Sequence, residues 1–488
     1  MKGKGKIMAR KKKILGRPDQ DGNIMVMRGV DYVSDFCGQF GLGLMANLVG
    51  QMTYFYTDKV GLAVGGVGIV MLIAKIIDAF TDIIFGNIFD HVKGGKEKYY
   101  KWFMRLALPA PLIIFLMFTV PGQNMTGLVY ALVTNVLLTA VVYSAIGCPF
   151  GAVMIVKTRS QRERSSMGLT RAVANYSSGM IVAIATIPVT NMLGGTQNAW
   201  IKYGIILALI VLLVFFTCYA IGKSSKFAED FEQGHSMADT DQQDAVRPED
   251  EAVELPQALG MLFRNKYWVI VLLFNLITSI TSGMAGASGT YYCKWIFGND
   301  NLVAMLGAAG MLGTVIGFAI SKPVINKFGI RGTVQIGLMG AAIASGLRCF
   351  APTNYILYAV TSVVGSFVQI PLMSLYAVLT GMAVDYNEYK YDKRLVNTAG
   401  GAIGFGSKVG NGLSTVILTG FLTVGGYDAT LTAATDSMRY AIYGFSNYLP
   451  VIINLVMFVI FLGFDLEKKL PGMLREIQER RSKNNARG

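Results

Sequence analysis

Histidine and cysteine are scarce in this 488-residue chain, and their scarcity excludes several kinds of site. The two histidines fall outside the apolar segments, which argues against a buried histidine relay and leaves no Ser–His or His–Glu constellation within them. The five cysteines occur singly, without metal-ligand spacing, and their odd number argues against a disulfide framework. We therefore expect neither an enzyme nor a resident cofactor. The residues are His91, His235, Cys37, Cys148, Cys218, Cys293 and Cys349.

Tryptophan is also rare, with four residues that all fall near the ends of apolar segments. Anchoring at the membrane interface is the role expected for tryptophan at such positions. No tryptophan then remains deep in the protein for stacking on a sugar ring, so tyrosine, phenylalanine and the 25 methionines are left to form adaptable apolar walls. The four residues are Trp102, Trp200, Trp268 and Trp295.

Long polar stretches are missing too, apart from one near the middle of the chain. Hydrophobic residues make up 53% of the sequence and the mean hydropathy is +0.46, values that indicate a protein crossing the membrane many times. The net charge of +14 comes from short basic clusters between apolar runs, which favours cytoplasmic loops over a nucleic-acid partner. The N-terminal sequence MKGKGKIMARKKK has no apolar core behind it, so we interpret it as a basic tail and not a signal peptide.

Twelve apolar segments, each near the roughly 20 residues that cross a bilayer, predict an all-α membrane protein with two six-helix bundles. The segments are 36–57, 65–88, 102–121, 127–152, 167–190, 199–221, 267–290, 301–322, 332–351, 354–383, 398–424 and 440–464. The predicted domains are a basic tail (1–35), an N-terminal bundle (36–221), a linker (222–262), a C-terminal bundle (263–465) and a C-terminal tail (466–488). Within the linker, Leu255–Phe263 is a candidate for a short surface helix.

The basic clusters alternate with loops that have few positive charges, as twelve spans require. By the positive-inside rule, both termini lie in the cytoplasm, and lipid surrounds the spans.

The second apolar segment carries three charged residues, Lys75, Asp78 and Asp82. At about 100° per residue they share one helical face. A charge at bilayer depth costs at least ~2.5–3.5 kcal/mol, so this face is expected to meet protein or water. Two carboxylates one turn apart suit a small cation or a proton, and the alternative is a structural Lys75–Asp78 ion pair. One lysine cannot neutralise two aspartates, which favours the cation site.

Other polar residues at membrane depth are candidates for substrate binding, with helix packing as the alternative. Those of the first segment follow a helical stripe that could meet a hydroxyl-rich ligand. Pro149 predicts a bend in the fourth segment, and Pro371 makes a kink the simpler explanation for its neighbour Gln369. The candidates are Gln39, Gly43, Asn47, Gln51, Tyr54, Tyr143, Gly147, Arg171, Asn175 and Gln369.

Lys408 lies in a glycine-rich stretch of the eleventh segment and needs a carboxylate or carbonyl partner. Pairing with Asp78 and Asp82 is one possibility. The charges of two lysines and two aspartates would then sum to zero. An entering cation would have to displace a lysine from its carboxylate, which would couple cation binding to a rearrangement of the charged side chains. A static salt bridge is the alternative interpretation.

Five stretches make the chain resemble the glycoside–pentoside–hexuronide:cation symporters, the melibiose-permease-like family of the major facilitator superfamily. The resemblance runs from about Phe36 to Asp465 and implies the major facilitator fold. It implies a cation site at Asp78 and Asp82 with Thr81 and Ser144 as further ligands, charged partners at Lys75 and Lys408, and a sugar-site arginine at Arg171. The stretches are YFYTDKVGLAVGGVG (54–68), AKIIDAFTDIIFGNIFD (74–90), CPFGAV (148–153), VDYNEYKYDKR (384–394) and FGSKVG (405–410).

The chain departs from that family at the sugar site. Two aspartates that hold galactoside hydroxyls are replaced by Gly43 and Gly147, and a tryptophan by Gly151. The resemblance therefore implies import of a larger glycoside, such as an aryl glycoside or glucuronide, with Na⁺ or H⁺. Lys408 joins the substrate candidates.

Alternative functions are a proton-coupled exporter of apolar compounds and a transporter-like sensor that does not transport. We expect a monomer in the cell membrane of a bacterium.

Overall fold

The computed structural model describes residues 25–91, 99–100, 104–105, 107–158, 160–226, 255–393 and 395–485. Within these ranges the regular structure is entirely helical. The helices are α1 (Gly29–Tyr54), α2 (Val64–His91), α3 (Pro109–Phe118), α4 (Met125–Val136), α5 (Ser144–Lys157), α6 (Gln161–Met192), α7 (Gln197–Lys223), α8 (Leu255–Phe263), α9 (Lys266–Trp295), α10 (Leu302–Phe350), α11 (Tyr355–Ser374), α12 (Tyr376–Tyr391), α13 (Val396–Val424), α14 (Asp436–Tyr443), α15 (Leu449–Phe461) and α16 (Leu466–Asn485). Three π turns, at Phe55–Val60, Leu137–Tyr143 and Gly444–Tyr448, continue or join helices.

The chain divides into two compact units. Unit 1 comprises residues 1–62 and 73–245, and unit 2 comprises residues 63–72 and 246–488. Most of the predicted N-terminal tail and the predicted linker lie outside the described residues, as do His235 and Trp102. The predicted domain boundaries stay predictions.

All twelve predicted apolar segments lie at least in part on helices, and the all-α membrane fold is confirmed. Helix boundaries differ from the apolar runs in several places, and two of the differences have a clear physical reason. Helix α1 begins at Gly29, before the apolar run, because the carboxylates of Asp31 and Asp35 are paired with cations and can be buried. Helix α10 contains both the eighth and ninth segments and is broken at Gly329, whose φ of +71° is favourable for glycine.

The core of unit 1 near the end of α1 is built from aromatic rings. The ring of Phe55 lies 5.1 Å from Trp200 and 5.2 Å from Phe118, centroid to centroid. Trp200 is completely buried here, and Trp268 is completely buried in unit 2. The prediction that these two tryptophans anchor at the membrane interface is therefore wrong, because each ring fills space between helix ends.

The core of unit 2 gathers side chains from both its membrane helices and its surface helices. The predicted helix Leu255–Phe263 is present as α8, and its Leu262 is buried beside Trp268. Leu466 and Leu470 of α16 join the same cluster. On the outside, large apolar side chains such as Leu312, Val360 and Val459 are more than half exposed, as a lipid-facing surface requires.

Candidate cation and substrate sites

The charged residues of α2 form a partly buried cluster in unit 1. Asp78 is only 3% exposed, and its Oδ2 lies 3.6 Å from the Nζ of Lys75, one turn earlier. Asp82, one turn later, is half-buried. The Lys75–Asp78 contact places these two side chains on one helical face, as their spacing predicts. A buried carboxylate needs further polar partners to offset its desolvation.

Ser144, in the fourth apolar segment, supplies such a partner. Its hydroxyl donates to Oδ1 of Asp78 at 3.1 Å and also lies 3.2 Å from the Thr139 carbonyl oxygen. The π turn Leu137–Tyr143 directly precedes Ser144, and such turns within helices are common at functional sites. Helix α5 continues through Pro149, so the bend that we predicted there stays a prediction.

Thr81 and Asp82 lie beside the Asp78–Ser144 pair, on the next turn of α2. The Thr81 hydroxyl donates to the main-chain carbonyl of Asp78 at 3.1 Å, so it is already engaged within its own helix. Cys148 of α5 lies with its Sγ 3.9 Å from the main-chain oxygen of Asp82. Across the described ranges, no three His, Cys, Asp or Glu side chains are grouped as metal ligands. A sodium ion here would therefore need hydroxyl or main-chain oxygens besides carboxylates, whereas a proton needs only a carboxylate.

The polar stripe of α1 is used largely for packing within unit 1. Gln51 and Tyr54 are buried, and the Tyr54 ring lies 6.5 Å from that of Trp200. Asn47 donates to the Gly43 carbonyl of its own helix at 2.7 Å, and Gln39 is half-buried. The alternative interpretation, helix packing, therefore explains Gln51 and Tyr54. The substrate role of the stripe stays a prediction.

The two glycines at the family's aspartate positions differ in their surroundings. A Cβ on Gly43 would overlap the Ser178 hydroxyl and lie 3.2 Å from the Asn175 Oδ1, so α6 fills the space left by the missing aspartate side chain. A Cβ on Gly147 would meet no atom within 4 Å. Tyr143, one turn before Gly147, is half-buried. The space is therefore open beside Gly147 and filled beside Gly43.

Arg171 is held by a carboxylate that our sequence reasoning missed. Its guanidinium donates to both oxygens of Asp35 at 2.7–3.0 Å and to the Phe150 carbonyl at 3.0 Å. Its Cζ also lies 4.0 Å from the centre of the Phe150 ring. Asp35 is 4% exposed and Arg171 13%, so this is a buried bidentate pair. An aspartate beside the start of an apolar run was the signal that could have revealed Asp35.

Two polar contacts link the long membrane helices of unit 2 without a carboxylate. Gln369 of α11 donates to the Ser282 hydroxyl of α9 at 2.8 Å, and Ser407 of α13 donates to Asn275 of α9. Lys408 follows on α13 and is half-buried. Gln369 therefore forms a hydrogen bond between helices, in addition to lying near the kink predicted at Pro371. The sequence reasoning missed Asn275 and Ser282, which looked like ordinary polar residues of a long helix.

A family model for "MFS/sugar transport protein" matches residues 35–468, nearly all of the membrane region. The chain belongs to this family.

Curated relatives of this sugar-transport family protein cover most of its length. The chain is 24% identical to the isoprimeverose transporter of Lactiplantibacillus pentosus, with 93% of this chain and 91% of the relative covered. It is 25% identical to the inner membrane symporter YicJ of Escherichia coli K12, with 85% and 86% covered. It is also 25% identical to a putative 2,3-dihydroxypropane-1-sulfonate exporter of Salmonella typhimurium LT2, with 83% and 86% covered.

Solved structures agree on the fold. A bacterial homologue of the human lysosomal transporter Spinster, in an inward-facing and unoccupied conformation, superposes with a TM-score of 0.63 at 11% identity, covering 88% of this chain and 98% of the other. The predicted major facilitator fold and family resemblance are confirmed. The family and its relatives are membrane transporters, which confirms the prediction that the protein is not an enzyme.

Proposed function

We propose that the protein is a secondary active symporter that imports a glycoside or related sugar conjugate together with Na⁺ or H⁺. The observation that carries this proposal is the buried Asp78 carboxylate, held by the Ser144 hydroxyl and Lys75. The relatives named as a sugar transporter and a symporter support the transported class and the coupling. The membrane is the bacterial cell membrane, with both termini in the cytoplasm, and the working unit is a monomer.

The coupling follows from the charge of the site. A carboxylate at membrane depth is costly while it is ionised, and a bound Na⁺ or H⁺ neutralises it. Occupation of Asp78 and Asp82, with Thr81 and Ser144 as further ligands, stabilises the conformation that binds substrate. Cation and substrate then raise each other's affinity by the same factor. Lys75 and Lys408 act as counter-charges that the entering cation displaces.

The proposed substrate class rests on two residues, one in each unit. The open space at Gly147 of unit 1 suits a bulky aglycone. Lys408 of unit 2, a substrate candidate from the sequence, suits an anionic substrate. We therefore propose an aryl glycoside or a glucuronide.

Proteoliposome uptake tests the proposal. The wild-type protein accumulates a suitable glycoside along an inward Na⁺ or H⁺ gradient, and Asp78→Asn and Asp82→Asn abolish that accumulation while retaining exchange of substrate across the membrane. Asp428→Asn, in an exposed loop, is the matched control and leaves accumulation unchanged. Gradient-driven accumulation by Asp82→Asn at the wild-type level would refute the proposal.

Export is the second candidate, because one relative is named as a putative exporter. Cells that express the protein distinguish the two directions. An importer raises the intracellular concentration of an added substrate, whereas an exporter lowers it.

A further inference from the structure

The helix pair α9–α13 of unit 2 repeats a contact found in the pair α1–α6 of unit 1. A Cβ on Gly283 would overlap the Ser414 hydroxyl and lie 3.1 Å from the Asn411 Oδ1. Gly43 meets Ser178 and Asn175 in the same way. In both pairs the asparagine comes three residues before the serine. The two pairs therefore share one packing geometry, and residues at matching positions can be compared.

The matching positions differ in charge. Asp35 and Asn275 each lie eight residues before the glycine, and Arg171 and Ser407 each lie four residues before the asparagine. Unit 1 thus has an ion pair where unit 2 has the neutral Ser407–Asn275 hydrogen bond. Helices α9, α10, α11 and α13 contain no aspartate or glutamate. These four helices therefore contribute polar groups and the cation Lys408, but no carboxylate, to unit 2.

The polar side chains of α9, α11 and α13 lie on helix faces that adjoin one another. Asn275 and Ser282 lie two turns apart on one face of α9, and Ser407 and Asn411 lie one turn apart on α13. Gln369 joins them through Ser282. Because α9 and α13 pack at Gly283 and Ser414, these five residues come from adjoining helix faces.

Part of the hydrogen-bonding capacity of these side chains is unused. Gln369 donates one bond, Asn275 accepts one, and the Asn411 amide donates to the Ser407 carbonyl of its own helix at 3.1 Å. In the described part of the chain, nothing bonds to Oε1 of Gln369, Nδ2 of Asn275 or Oδ1 of Asn411. Asn411 is also exposed near the middle of α13. An amide at that depth is costly in lipid, which indicates that it faces water or a ligand.

We propose that Asn275, Gln369 and Asn411 form a hydroxyl-binding site in unit 2 for the polyol ring of the transported molecule, neutral or anionic. Neighbouring ring hydroxyls each donate and accept, and an array of amide N–H and C=O groups satisfies both requirements. The absence of carboxylates removes the attraction that a cationic aminosugar would find. The inference deepens the proposed glycoside transport and rests on it.

Titration of the purified full-length protein by thermal shift tests the inference at saturating cation. The probes are the p-nitrophenyl β-D-glucoside, xyloside and glucuronide, with monodeoxy analogues of whichever binds. Because one neutral hydrogen bond contributes about 1 kcal/mol, Gln369→Leu and Asn411→Ala are each expected to weaken binding about fivefold to tenfold. At least one deoxy analogue should bind each variant and the wild-type protein equally well.

Asn454→Ala is the matched control. Asn454 also donates to a carbonyl one turn earlier, Pro450 at 2.7 Å, but its side chain is buried on α15. This variant should retain wild-type affinity. Asn411→Ala removes only a hydrogen bond within its own helix, so it keeps the test valid if Gln369→Leu fails to fold.

The possible outcomes separate the two proposals. Unchanged affinity in both Gln369→Leu and Asn411→Ala, with clear binding to the wild-type protein, would overturn this inference and leave the proposed function intact. Equal or tighter binding of p-nitrophenyl β-D-glucosaminide than of the glucoside would overturn the charge argument. A wild-type protein that binds no probe of the panel would overturn the glycoside assignment itself, and this inference with it.

Discussion

The helix pairs α1–α6 and α9–α13 have the same packing contact, but one holds an ion pair and the other a neutral hydrogen-bonded pair. In each, a glycine lies against a serine hydroxyl and an asparagine amide of the partner helix. Near that contact, α1–α6 holds the buried Asp35–Arg171 ion pair, and α9–α13 holds the neutral Asn275–Ser407 pair. At matching positions the repeated scaffold thus carries an ion pair in unit 1 and a neutral hydrogen-bonded pair in unit 2.

The difference extends beyond these pairs. Unit 1 also buries Asp31, which is paired with Arg28 and Lys157, and Asp78. The long helices α9, α10, α11 and α13 of unit 2 have no carboxylate. Because binding a cation requires anionic or oxygen ligands and binding sugar hydroxyls requires paired donors and acceptors, the units are suited to different ligands. We infer a division of labour, with the cation in unit 1 and sugar hydroxyls contacted in unit 2.

The largest expected effect comes from breaking the ion pair of α1–α6. Arg171→Ser leaves Asp35 buried without its cation and should destabilise the protein by about 3–5 kcal/mol. Adding Asp35→Asn reproduces the neutral pair of unit 2 and should restore stability to within about 1 kcal/mol of wild type. Unfolding followed by fluorescence in detergent measures both variants.

A control for this prediction is Arg480→Ser, which breaks an exposed pair with Asp392. It should change stability by less than about 0.5 kcal/mol. A double variant as unstable as Arg171→Ser would show that the two helix pairs are not interchangeable.

The next effect concerns the shared packing contact. Gly43→Ala and Gly283→Ala each place a methyl group against a serine hydroxyl, and each should destabilise the protein by about 1–3 kcal/mol. Gly147→Ala, where the space is open, should have no such cost. Thermal unfolding of the three variants is the measurement. A large loss at only one of the two packed glycines would break the equivalence of the contacts.

A smaller effect is expected at the cation site. Ser144→Ala removes the hydroxyl bonded to Asp78 and should raise the half-saturating cation concentration about tenfold, because hydrogen bonds to charged groups contribute about 1.5 kcal/mol or more. Thr81→Ala should have a smaller effect, about twofold, since its hydroxyl is engaged by its own helix. Cation-dependent uptake at fixed substrate measures both. A larger effect at Thr81 would reverse this order.

The sequence predicted much of the fold and part of the site. Apolar length and charge alternation identify the membrane helices because the bilayer imposes both. The Lys75–Asp78 pair follows from helical periodicity within one segment. The family resemblance implied that Ser144 and Asp78 belong to one site, and the two side chains are hydrogen-bonded. Whether Lys408 pairs with Asp78 or Asp82 stays a prediction.

Contacts between distant segments could not be predicted in this way. The pairing of Arg171 with Asp35 depends on how α1 crosses α6, and nothing in either segment specifies that crossing. The same holds for Gly43, where replacement of the family's aspartate by glycine implied room for a larger substrate. Packing against Ser178 removes that room. The burial of Trp200 also depends on neighbours far away in sequence.

The most direct test of the division of labour compares Ser144→Ala with Gln369→Leu in one uptake assay. The half-saturating concentration of the cation is measured at saturating glycoside, and that of the glycoside at saturating cation. We predict that Ser144→Ala raises the value for the cation and leaves that for the glycoside within about twofold, and that Gln369→Leu does the reverse. If each variant raises both values equally, the division between a cation-binding unit 1 and a hydroxyl-binding unit 2 is contradicted.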